Sequence, residues 1–113
     1  MKAIVADAHL LGRKVAAHAH GAQGIAWAAE AGVDSIEHGS YIDDNAIAVM
    51  KQHGTYLVPT LYLSNWMTEN MDRVGLPPFY RGKMQQVAEV AHKNIAHAFA
   101  SGAISSSWRA SRR

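Results

Sequence analysis

The residues with the most chemical content are three histidines that close two apolar runs. In Val15-Ala16-Ala17-His18-Ala19-His20-Gly21 two histidines stand two apart at the end of a predicted strand. The two-residue period of a strand puts both side chains on one face. A neutral imidazole nitrogen is a good ligand for zinc and similar ions, and a strand end is a rigid mount for it. The run Ser35-Ile36-Glu37-His38-Gly39 repeats the arrangement, a histidine followed by glycine where the strand should give way to a loop. Taken alone, the His-x-His spacing is more often incidental than metal-binding. A second strand delivering His38 to the same end makes a shared site of His18, His20 and His38 the sharper reading. The plainer reading of His38 is a half-buried histidine bonded to a backbone carbonyl. The sequence has no cysteine, so any metal must be held by His, Asp and Glu.

The elements that would carry these residues alternate. Ala3 to Leu11 has Ile4, Val5, Ala8 and Leu11 at helical spacing, with Gly12 to end the helix before the strand-like Lys14-Val15-Ala16-Ala17. A second helix opens at Gly21 to Gly24, carries Ile25, Trp27, Ala28 and Ala31, and stops at Gly32; Val33 to Glu37 is then a strand. Asp43 or Asp44 can cap a third helix, which Gly54 ends, and Thr55-Tyr56-Leu57-Val58 is a strand halted by Pro59. Strand and helix in alternation predict a parallel sheet with right-handed crossovers. In such sheets the C-terminal strand ends converge on a common crevice. Ser64 to Pro78 reads as a loop with one helical turn, and Phe79 to Ser101 as a long helix. The expected count is about three strands and four helices.

Composition limits the alternatives. With 49% apolar and 18% charged residues over 113 positions, the chain can bury one core. No apolar run is long enough to cross a bilayer, and the N-terminus lacks the hydrophobic core of a leader, so a cytoplasmic protein without membrane partners is expected. Of the net charge of +2, three positive charges belong to Arg109, Arg112 and Arg113, which leaves the remainder at −1. The basicity is that of a tail, and no aromatic or glycine pattern supports nucleic-acid binding. His9, His53, His92 and His97 fall on predicted helices or their ends, and Trp27 reads as helix packing. Tyr62 and Trp66, just past the third strand, either line a pocket or cover core.

The stretch from Val15 to Leu61, with HAHG and then IEHG placing His18 and His38 twenty residues apart, resembles the amidohydrolase superfamily, in its prolidase-like and imidazolonepropionase-like branch. The resemblance runs from about residue 1 to residue 101. It implies a partial (β/α) TIM-barrel fold covering strands five to seven, with residues 1–102 as the barrel portion and 103–113 as a basic tail foreign to the family. It implies a divalent metal, zinc by preference, with His18 as the fifth-strand ligand and His38 as the sixth-strand ligand. His20 would then stand beside the metal as a catalytic and substrate-binding residue, with Tyr62 as a further substrate contact. The family's first-strand histidine pair, bridging lysine and eighth-strand aspartate have no counterpart here.

Two functions follow as expectations. One is a hydrolase of small-molecule amides, peptide-like or cyclic, extending to esters and phosphotriesters, in which three imidazoles hold the ion and leave one position open for water. The other is an inactive, self-associating barrel fragment. In both, the open edges of a three-stranded sheet predict a homodimer or larger assembly.

Overall fold

The alternation is realised in the computed structural model, which describes residues 1–75 and 77–103. Helix α1 (Lys2–Leu10) leads to β1 (Ala16–Gly21), α2 (Ala22–Glu30), β2 (Ser35–Tyr41), α3 (Asp44–His53) and β3 (Tyr56–Val58). Three helices follow: α4 (Leu61–Glu69), α5 (Met71–Val74) and α6 (Pro78–Ala100). Local chemistry sets several boundaries. Asp43 is the N-cap of α3, its carboxylate accepting the Ala46 N–H at 2.8 Å, and Gly54 closes the helix in the left-handed region at φ 67°. Asp34 ties the first units together by accepting from the Val15 N–H at 2.8 Å and from Lys14 Nζ at 2.6 Å, with His9 Nε2 at 2.8 Å.

The sheet is parallel with strand order β1-β2-β3. Ala17 pairs with Ile36 and Ile36 with Leu57, so these three share the face turned to the helices, where Ile36 and Leu57 are fully buried with Ile25, Ala29 and Met50. The other face carries His18, Glu37 and Val58 in line and is more open, with His18 and Tyr56 exposed. Helix α6 buries Ala88, Ala91, Ile95 and Ala98. Its Asn94 side-chain N–H donates to the Ser40 carbonyl at 3.1 Å, which fixes the helix to the end of β2. Sequential parallel strands joined by helices are the repeating unit of a (β/α) barrel.

Four expectations are corrected. Strands β1 and β2 run on to Gly21 and Tyr41, past the runs expected to end near Ala17 and Glu37. The segment read as a loop after Ser64 holds α4 and α5, which raises the helices among the described residues from four to six. Trp27 is 63% exposed, because α2 buries Ile25, Ala26, Ala28 and Ala29 instead. Ala103 is buried, one residue into the segment expected to be a solvated tail; the rest of that segment, 104–113, lies outside the described residues.

Candidate metal and substrate site

The register alone would keep the histidines apart. His18 pairs with Glu37 and Ala19 with His38, so an unbroken ladder would put the His38 side chain on the Ala19 face, away from His18 and His20. The ladder breaks there. Gly21 pairs with Tyr41, which leaves β2 one residue longer than β1 across the interval, a β-bulge. Within the bulge His38 has φ 78°, the only non-glycine among the described residues in the left-handed region. That backbone turn carries its imidazole over to the other two. His38 Nε2 lies 2.8 Å from His18 Nδ1, and its ring stacks on that of His20 at 4.6 Å and 8°.

Holding a non-glycine residue there costs about 1–3 kcal/mol, and the surroundings must enforce it. Two features do. His38 Nδ1 and the Thr60 hydroxyl share a hydrogen bond of 2.6 Å, although Thr60 is the N-cap position of α4 and makes no side-chain cap bond there. Gly39, at φ 65°, lies so close to buried Leu57 that a Cβ would stand 2.6 Å from its Cδ1. Burial holds the His38 pKa below the ordinary 6.5, with the charges of His20 and His18 acting in the same direction and Glu37 weakly opposing. His38 is therefore neutral at neutral pH. In the tautomer that carries the proton on Nδ1 and donates it to Thr60, Nε2 presents a lone pair toward His18.

Beside these rings is a cavity of about 380 Å³, lined by His20, His38, Ser40, Thr60 and side chains of α4 and α6. That size suits a small-molecule site. His20 Nδ1 is 2.9 Å from Ser40 Oγ, which orients the ring within the cavity wall. Helix α4 contributes Leu63 and Met67, one turn apart, and α6 contributes Tyr80, Lys83, Met84 and Val87 at helical spacing. Tyr62 is not among the lining residues: it is 80% exposed, because the helical turn of α4 points Leu63 inward in its place. Trp66 is left out in the same way. Ser40, Thr60 and Lys83 were not anticipated from the sequence. Only the HisGly dipeptide hinted at the bulge that brings Ser40 in.

The donor set fits part of a metal site. Two imidazole nitrogens bound to one tetrahedral zinc at about 2.0–2.1 Å would stand about 3.3 Å apart, so the 2.8 Å pair needs to open only slightly. The shared proton would have to leave the pair, and His18 can carry it on Nε2. Among the described residues no group of three His, Cys, Asp or Glu side chains is arranged to hold an ion. His20 Nδ1 is directed to Ser40, which leaves its Nε2 as the ring nitrogen not engaged there. Two further histidines have polar partners away from the cavity, His92 with Asn65 at 2.7 Å and His97 with Asp44 at 2.6 Å.

A parallel β/α sheet with histidines gathered toward its C-terminal strand ends beside a cavity has the architecture of an arc of a (β/α) barrel. The profile of the amidohydrolase family matches residues 1–110, and the chain belongs to that family. An uncharacterized protein from Mycobacterium tuberculosis is 34% identical over 102 residues, which is 90% of this chain and 28% of that protein. Ochratoxinase from Aspergillus niger is 43% identical over 60 residues, 53% of this chain and 12% of that enzyme. Among solved structures, a Xaa-Pro dipeptidase with bound methionine in the active site superposes with a TM-score of 0.81 at 36% identity, covering 91% of this chain and 26% of that one. The A. niger ochratoxinase structure gives 0.79 at 33% identity, covering 91% and 23%. The chain thus spans about a quarter of the proteins it matches along most of its length, and its fold is an arc of their barrel.

Proposed function

We propose that this chain contributes the fifth- and sixth-strand ligands and one wall of the substrate cavity in a metal-dependent hydrolase that cleaves amide bonds of small peptide-like or cyclic molecules. The observation that carries the reading is the approach of His18 Nδ1 to His38 Nε2 at 2.8 Å, with His38 also lining the cavity. A divalent ion, zinc by preference, would supply Lewis-acid chemistry there, acidifying water and polarising the scissile carbonyl. The chain's own residues do the rest of the work assigned to them. Thr60 fixes the His38 ring, and burial keeps that ring neutral and able to donate a lone pair. His20, oriented by Ser40, holds or moves a proton at Nε2 against the substrate. Leu63, Met67, Met84 and Val87 take up its apolar portion. The likeness to a Xaa-Pro dipeptidase and to ochratoxinase supports an amide substrate; esters and phosphotriesters are secondary ones.

The test is hydrolysis of an N-acyl amino acid, with a chromogenic ester and a phosphotriester alongside, by the full chain. Activity removed by a chelator and restored by zinc supports the reading. No turnover with any added divalent ion overturns it for this chain and favours the second reading, an inactive self-associating barrel fragment. The specific observation behind that alternative is the absence of a third converging ligand among the described residues.

A further inference from the structure

Of the ten residues lining the cavity, Lys83 is the only one with an ammonium or guanidinium group, and none is acidic. No described residue forms an ion pair with Lys83, and no hydrogen bond engages its Nζ. Its helical neighbours at three and four positions are Phe79, Tyr80, Gln86 and Val87, so α6 offers no carboxylate to neutralise it. The ion pairs among the described residues all lie outside the cavity, as with Arg81, which is bound to Asp72 at 2.5 Å. Around Lys83 the wall is apolar, made of Leu63, Met67, Met84 and Val87 with Tyr80. The two methionines are flexible enough to fit bulky groups of different shape.

We infer that Lys83 determines specificity: its ammonium receives an anionic group, a carboxylate, on a substrate whose bulky apolar portion lies against Leu63, Met67 and Met84. This inference rests on the hydrolase reading of the cavity and adds to it the charge of the substrate and the residue that reads it. An uncompensated cation beside an apolar surface favours ligands that carry both features. A neutral amide of the same shape leaves the ammonium with water alone. Lys83 is exposed, so its attraction is screened by salt.

The experiment is calorimetric binding of N-acetylphenylalanine and of its uncharged amide to the full chain, for wild type and for Lys83→Met, Lys83→Glu and Lys83→Arg, with circular dichroism confirming that each variant is folded. The expected result is about tenfold tighter binding of the carboxylate than of the amide, narrowing as salt is raised. Lys83→Met removes that preference with the amide's affinity unchanged, Lys83→Glu reverses it, and Lys83→Arg keeps it. Equal binding of the two ligands by wild type, binding of neither, or equal losses on both in Lys83→Met overturns the inference. The hydrolase reading is scored separately. Charge-selective binding without turnover defeats that reading alone, and turnover without charge selectivity defeats the role of Lys83 alone.

Discussion

His38 is the residue through which the site is assembled. The sequence marks it as a histidine at a strand end, but strand parity would set it opposite Ala19, on the wrong face for His18. The positive φ of a non-glycine residue and the extra residue in β2 correct the face, and neither is visible in residue types alone. Thr60 was not legible either, because its partnership with His38 spans 22 positions and depends on β3 ending beside β2. If Thr60 fixes the ring, Thr60→Val should weaken zinc binding about 10- to 100-fold, as loss of an outer hydrogen bond to a ligating histidine does. Zinc titration of the variant checks this. Unchanged affinity would mean that the bulge alone holds the imidazole.

At the scale of elements, the periodic and capped segments were readable. Helix α3 is the clearest case, with its Asp43 cap and Gly54 stop. Helix α4 was missed because Leu61–Glu69 is rich in aromatic, Ser, Asn and Thr residues of modest helix propensity, and its N-cap hydroxyl is engaged by His38. Missing that helix also misplaced Tyr62. Two predictions belong here. Gly39→Ala should destabilise the fold by on the order of 1–3 kcal/mol and separate the histidines, since the new methyl meets buried Leu57 in a backbone region that disfavours alanine. Denaturant unfolding measures the first effect and zinc affinity the second. Asp34 joins α1, β1 and β2. Although its burial opposes ionisation, the hydrogen bonds from Lys14, Val15 and His9 hold its carboxyl at about 2, below the ordinary 3.8. The sign follows from that depressed value. The stabilisation is present above about 3.8 and is lost as pH falls toward about 2. Asp34→Asn should therefore lower the free energy of unfolding at neutral pH by on the order of 1–2 kcal/mol, given the exposed Lys14 partner, with the deficit vanishing in acid. A deficit independent of pH would contradict the assignment.

At the scale of the whole molecule, the parallel alternation was legible because each βα unit repeats its own start and stop signals. The cavity was not, since it forms between α4, α6 and the strand ends, whose closure depends on contacts such as Asn94 with Ser40, 54 positions apart. No helix among the described residues is long and apolar enough to cross a membrane. The outer edge of β1 and the open face with Tyr56 and His18 are accessible, and Trp27, Leu10 and Leu11 are exposed as well. Such a surface favours self-association. Light scattering of the isolated chain should then give a mass above 12.3 kDa; a folded species at that mass would refute it. The central claim is that His18 and His38 serve one ion. Its most direct test is calorimetric zinc titration of the full chain and of His18→Ala, His38→Ala and His53→Ala. The account predicts that the first two variants each lose at least about tenfold in affinity while His53→Ala binds as wild type. Wild-type zinc binding by both His18→Ala and His38→Ala would contradict it.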